Sequence, residues 1–327
     1  MSRLTRAAVC ALSIVLVPAV HAAPVYHLVD LGSGTLVHAI NKSDTVVGEK
    51  IDARARAALF RNGGWHKLDA GTEALAIDNS GNIVGDIASD GTALFWARGE
   101  QSVPITVPGS GHTLVYGIND GRTAVGAAED TFGNEHCYRW TPSAGGSLMT
   151  PDMPNCTATA INANGWVTGG AQFSTTTFAP DAFLWHDGHY QDLGNFGGSG
   201  GSMGNAINAA GHVVGNASLP TVGYSHGFFY DGQQMHDLGT FGGWLSTAEG
   251  INAKDEIVGT STLPDFTNLA YLYTGGVMLD LNTLVDNLDG WQLWTATAIN
   301  DKGTIIGRAI VPGTIDQHSF MAVRVSD

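Results

Sequence analysis

Three stretches of this chain gather side chains capable of chemistry. Glu129-Asp130-Thr131-Phe132-Gly133-Asn134-Glu135-His136 holds three carboxylates and a histidine, and oxygen-rich loops of that kind attract hard cations. Its spacing departs from the Asp-x-Asn-x-Asp-Gly pattern of a dedicated calcium loop, so a solvated acidic loop is the better reading. Asp286-Asn287-Leu288-Asp289 is a weaker version of it. His186-Asp187-Gly188-His189 sets two histidines about a two-residue turn, where exposure is the rule and no third metal ligand can be named. No metal is therefore assigned. The chain has no phosphate loop and no His-Glu-x-x-His, so neither a catalytic residue nor a cofactor is assigned.

The elements that would position such groups come from a repeat. Ala206-Ile207-Asn208-Ala209-Ala210-Gly211-His212-Val213-Val214-Gly215 recurs, with substitutions, in seven copies. Its bends fall at Asn41, Asp78, Asn119, Asn162, Asn208, Asn252 and Asn300, each seven residues before a glycine. Asn-x-x-Gly between apolar runs predicts a hairpin: the asparagine caps the turn and glycine takes the left-handed position. Asp44 and Asp255 replace that turn glycine in two copies, and Arg122 in a third, where the turn type is expected to be lost. The glycine that closes each motif is expected to end the second strand. A third strand follows, clearest at Ala182-Phe183-Leu184-Trp185, and a fourth ending in Asp-Leu-Gly, as at Asp192-Leu193-Gly194. Trp96, Trp140 and Trp185, on third strands, read as packing residues.

Residues 23–327 divided among seven copies give about 44 residues each, the period of a four-stranded propeller blade. Strands apolar on successive residues need cover on both faces, which stacked blades provide. Tyr26-His27-Leu28-Val29-Asp30-Leu31-Gly32 precedes the first copy as a spare fourth strand, and the last copy lacks one. The expectation is an all-β fold: a closed seven-bladed β-propeller of four-stranded antiparallel blades, with the N-terminal strand completing the last blade and leaving no free edge.

Positions shared by all copies are explained by architecture, so function should sit where copies differ. The residue before each Ala/Gly-Ile pair is such a column: His38, Leu75, Tyr116, Thr159, Asn205, Glu249 and Thr297. Were it to face the axis, it would make a mixed polar site, and concave sites of that kind hold ligands. Trp244, Trp291 and Trp294 lie in or near connections, where aromatic rings can stack on a sugar. The ligand-binding candidates are His38, Tyr116, Asn205, Glu249, Trp244 and Trp291.

Arg3 and Arg6 precede an apolar run from Ala7 to Val20, followed by His21-Ala22. That reads as a secretory signal peptide over residues 1–22, too short for a membrane span, leaving a single domain at 23–327. Its removal takes two arginines and no acid, moving the net charge from −15 to −17. So acidic a chain repels phosphate backbones, which argues against nucleic acid and anionic membranes. Export would let Cys137 and Cys156 form a disulfide.

The chain resembles the HAF-repeat family of bacterial extracellular proteins. His226-Gly227-Phe228 sits where the family takes its name, and Asp237-Leu238-Gly239-Thr240-Phe241-Gly242-Gly243 before Ile251-Asn252 follows its linker pattern. Gly290-Trp291 with Ala298-Ile299-Asn300 is similar to its final repeat. The resemblance implies an exported repeat protein and carries over no catalytic residue. The reading is an exported, monomeric binding module that is more a binder than an enzyme. It would present loops 127–136, 170–181 and 282–296 to a glycan, peptide or protein in the periplasm or outside the cell. The alternatives are a carbohydrate-active hydrolase or lyase with its site in the axial funnel, and a structural envelope or matrix protein.

Overall fold

The computed structural model describes residues 23–326 apart from 88, 150–154, 174–178, 222, 314 and 315. The signal peptide expected at 1–22 and the middle of the 170–181 loop lie outside the described residues. Among the described residues there are twenty-eight strands and one short 3-10 turn, Leu281–Leu284. The strands form four-stranded antiparallel meanders. Two of these, spanning Glu73–Ile77 to Ser102–Pro104 and Thr113–Ile118 to Gly145–Leu148, are joined in one sheet by a single parallel pairing of Thr113 with Thr92.

Every copy of the motif builds the same hairpin. The side-chain oxygen of Asn208 accepts the backbone N–H groups of Ala210 and His212, at 3.0 and 3.1 Å. The other six bends do the same two and four residues on. The third turn keeps its type, contrary to expectation: Arg122 adopts φ 57° and its N–H reaches the Asn119 carbonyl at 2.9 Å. That backbone costs a non-glycine residue roughly 1–2 kcal/mol. At Asp44 and Asp255 there is an offsetting gain, since each carboxylate accepts the side-chain amide of the preceding copy's asparagine, Asn300 and Asn208 respectively.

The closing glycine does not end its strand. Gly215 lies in the middle of Val213–Ser218, and its equivalents sit likewise inside their strands. Its cause is in the neighbouring strand, where the pairing register slips between Gly204 and Ala206. The same bulge recurs in all seven first strands. It drives a carbonyl toward the glycine, so that a Cβ on Gly215 would stand 1.9 Å from the Met203 oxygen. Bulge and glycine are one device.

Neighbouring meanders pack face to face, and each buried cluster draws on two of them. Val84 and Phe95 from one meet Val115, Tyr138 and Trp140 from the next. Trp96, Trp140 and Trp185 are buried as expected. Each large side chain withdrawn from water contributes about 1.5–3 kcal/mol. Val25–Ser33 pairs antiparallel with the last strand, Gln317–Ser326, so the N-terminal strand does complete the final sheet. Its outer edge is covered by the segment after the 3-10 turn: the Asn287 side chain accepts the Leu28 N–H and donates to the Leu28 carbonyl, as a paired strand would. The 282–296 loop, expected to face a ligand, thus spends part of its length guarding an edge. Cys137 and Cys156 form a disulfide between one meander's third strand and the next one's first.

The histidine of the third strand also has a structural partner. His226 Nδ1 lies 2.9 Å from Asp237, whose carboxylate accepts the Gly239 N–H. His318 and Asp30 repeat the arrangement at 2.9 Å, with the Gly32 N–H.

Candidate functional site

A four-stranded meander puts its first and third turns at one end and its remaining connections at the other. At the first end the turns form a belt. Asn41, Asn119, Asn162, Asn208, Asn252 and Asn300 each donate a side-chain N–H to the bend carbonyl of the next copy, over 2.9–3.3 Å. The last of these runs from Asn300 back to Asn41. Asp78 has no such donor, and the link from the second copy to the third is missing. Inside the belt is a cavity of about 250 Å³, lined by the bend isoleucine of every copy with Asn41, Asn119 and Asn300. Those three asparagines are already engaged with neighbouring copies.

Three residues before each bend, inside the first strand, stands the variable column, and each member of it is the bulged residue of its strand. The side chains tie neighbouring first strands together: Thr159 donates to the Gly204 carbonyl at 2.6 Å and Asn205 to the Ala248 carbonyl at 3.0 Å. Asn205 also lies 3.4 Å from the Glu249 carboxylate, whose pKa burial raises despite a hydrogen bond from Thr247. His38 and Tyr116 belong to a second, acidic quarter. His38 Nε2 is 3.6 Å from Glu49, and the ligating atoms of His38, Glu49 and Glu73 lie within 4.8 Å of one another. Burial, then the Glu49 and Asp86 charges, raises the Glu73 carboxyl. Burial also raises Asp86, with Glu49 adding to it and Thr72 opposing it. The Tyr116 hydroxyl is raised by burial, then by Glu135 and Asp86.

The tryptophan candidates separate. Trp291 packs against the last core cluster and meets His318 edge-on at 5.4 Å. Trp294 carries the Arg308 guanidinium 4.5 Å above its ring. Trp244 is 47% exposed on the rim. It stacks on Tyr224 at 5.5 Å and meets Phe266 at 4.9 Å. Phe266, 62% exposed, is held at φ 69° in the turn Leu263–Thr267, closed by its own N–H to the Leu263 carbonyl. Tyr224 also borders a groove of about 450 Å³, lined by Pro180, Gly201, Met203, Asn216 and Ser218. Sequence reasoning missed Tyr224 and Phe266, because neither lies in a repeated position.

Other sequence candidates resolve into structure. Asp130 accepts the N–H groups of Phe132 and Asn134, the Asn134 amide and a contact from His136, and with Asn134 foremost these hold its carboxyl far below the usual range. Its oxygens order the loop. His186 stacks on Trp166 at 4.9 Å. Sequence reasoning passed over Gly197-Gly198-Ser199-Gly200-Gly201, which has the letters of a nucleophile elbow, but it leads into the strand Ser202–Ile207, whereas an elbow opens a helix. Glu49 and Asp86 could have been found from sequence: both directly follow the repeated glycine, where the other copies have Ala127, Gly170, Asn216, Thr260 and Arg308.

Together the sheets and their stacking make this a β-propeller. It resembles the virginiamycin B lyase of Staphylococcus aureus (TM-score 0.58, 10% identity, 91% of this chain and 99% of that one). It also resembles the propeller domain of the Trilobed protease of Pyrococcus furiosus (0.55, 9% identity, 93% and 98%). TolB of Acinetobacter baumannii matches over 71% of this chain (0.51, 12% identity), and this chain spans 61% of that one. At such identities the likeness shows the fold alone. The chain belongs to the family described as protein of unknown function (DUF3466), whose profile matches residues 106–321. No curated protein matches its sequence.

Proposed function

We propose that this protein is an exported binding module: a closed seven-bladed propeller, residues 23–327, that holds a protein partner on its rim. Closure is supported by the Asn300–Asn41 hydrogen bond and by the pairing of Val25–Ser33 with Gln317–Ser326. Export, with loss of residues 1–22, is supported by the Cys137–Cys156 disulfide. Membership of the HAF-repeat family is supported by the His226–Asp237 and His318–Asp30 pairs, which give its histidine and Asp-Leu-Gly motifs a common purpose.

The observation that carries the binding reading is the aromatic cluster Tyr224–Trp244–Phe266. An exposed phenylalanine in a left-handed turn gains little burial to offset its backbone cost, and such strain persists where function holds it. With Leu245, 44% exposed beside Trp244, the cluster makes an apolar contact patch of the type that anchors protein interfaces. A photo-crosslinking amino acid at Leu245, in cells exporting the protein, is expected to give a discrete protein adduct. That adduct should vanish in the Trp244→Ser, Phe266→Ser variant. A glycan-array response abolished by the same substitutions would replace the protein partner with a sugar, and neither adduct nor response would refute the reading.

A second reading, a hydrolase or lyase with its site in the axial funnel, is favoured by one observation. Glu73 and Asp86, two carboxyls raised chiefly by burial, gather beside His38 and Glu49.

A further inference from the structure

The acidic quarter contains a charge that the fold leaves unanswered. Glu49 is buried, at 7% exposure, on the strand Val46–Ile51. Its carboxylate accepts no hydrogen bond among the described residues, and its partner is His38 Nε2 at 3.6 Å, beyond hydrogen-bonding range. That nitrogen is itself buried and unpartnered, as is one oxygen of Asp86. Glu73, the first residue of the next meander's first strand, completes the group.

An uncompensated buried carboxylate is among the costliest things a fold can hold. This chain shows elsewhere how it satisfies one. Glu256 is equally buried at 7%, and it receives Arg324 Nη2 at 2.8 Å and the Asn252 amide at 2.6 Å. Among the described residues no lysine or arginine does this for Glu49: Lys50, next in sequence, sends its ammonium to the Ser33 carbonyl. The nearest groups are two more acids and an imidazole.

We propose that His38, Glu49 and Glu73 bind a divalent transition cation of the zinc type, with Asp86 alongside as a supporting acceptor. One imidazole nitrogen and two carboxylates suit zinc, which takes three protein ligands and keeps a fourth position open. Ligands of a tetrahedral zinc stand about 3.4 Å apart, close to the 3.6 Å between His38 and Glu49. Calcium needs six to eight oxygens, more than this group offers. The bulge matters here, because it places His38 beside Glu49 and toward Glu73 across the boundary between meanders. This site lies apart from the aromatic rim and does not depend on the rim reading.

The test is calorimetric titration of the chelator-stripped, disulfide-bonded protein with zinc chloride, manganese chloride and calcium chloride in separate arms. One equivalent of zinc should bind, manganese more weakly, and calcium not at all. His38→Ala and Glu49→Gln should each abolish that equivalent, and Asp86→Asn should weaken it about tenfold, as loss of a supporting acceptor does. His186→Ala with His189→Ala, which removes a histidine pair outside this cluster, should leave it intact. In metal-free buffer Glu49→Gln should raise the melting temperature, showing that the variant folds and that the charge was unanswered. Absence of zinc uptake, uptake unchanged by Glu49→Gln, or a lowered melting temperature of that variant in metal-free buffer would overturn the proposal.

Discussion

The bends and the bulges of the propeller lie three residues apart on the same strands and behave oppositely. At the turn end, the bend side chains Asn41, Asn119, Asn162, Asn208, Asn252 and Asn300 are buried and bonded to the next copy. Three residues earlier, inside the strands, the bulged residues differ from copy to copy, and around one of them His38 and Asp86 keep buried polar atoms without partners. A buried polar group left unpaired costs stability, so a fold tolerates it where something else is gained. Uniformity at the bends therefore marks structure, and the differences at the bulges mark where a ligand is to be sought.

The contrast can be broken most forcefully through the bulge. Gly215→Ala places a methyl group 1.9 Å from the Met203 carbonyl oxygen and should cost roughly 3 kcal/mol or more in urea unfolding, since relief requires moving backbone. A loss below half a kcal/mol would mean the bulge is not what demands the glycine. Next in size is the covalent tie between two meanders. Replacing Cys137 and Cys156 with alanine should cost about 2–3 kcal/mol, by the same measurement.

Within the belt, Asn208→Ala removes the acceptor of two backbone N–H groups and the donor to Asn252, and about 2 kcal/mol should be lost. Asp78→Asn tests the gap. It supplies the missing donor toward the Asn119 carbonyl, and a flipped Asn82 amide can accept the second proton, as Glu256 does from Asn252. The urea midpoint should rise by the equivalent of about 1 kcal/mol; a fall would show that the belt gains nothing from closing.

The smallest effect is the pH dependence of the seam between first and last copies. Asp44 is held below its usual carboxylate pKa: burial works against this, but hydrogen bonds from Lys302 and Asn300 outweigh it. Its contribution is present above the unfolded value of 3.8 and is lost as pH falls through the depressed one. Exposure and salt limit it to a few tenths of a kcal/mol. Melting temperatures of the wild type and Asp44→Asn should therefore differ slightly at pH 6 and converge as the pH falls well below 3.8. A gap that widens on acidification would reverse the assignment.

Much of this was legible in the chain because the signals were local and repeated. The hairpin at Asn208–Gly211, the third strand at Ala182–Trp185 and the spare strand beginning at Tyr26 all appear where the residues place them. The misreadings share a cause. Gly215 was expected to end a strand because its constraint lies on another strand, in the Met203 carbonyl. Arg122 was expected to lose the turn because its left-handed backbone has no sequence mark. Phe266 and Tyr224 belong to no repeated position, so only their meeting with Trp244 distinguishes them.

By itself, then, the sequence determined the period, the four strands of each copy and the hairpin chemistry. Those follow from torsional preference, alternation and spacing, which act over a few residues. Only the tertiary structure decided that the bend asparagines hold each other in a belt, and that Glu49 and Glu73, 24 residues apart and on different meanders, share one acidic pocket with His38. Such contacts depend on how one sheet's face meets the next. A single bulge, shifting the register by one residue, is enough to choose which side chain arrives there.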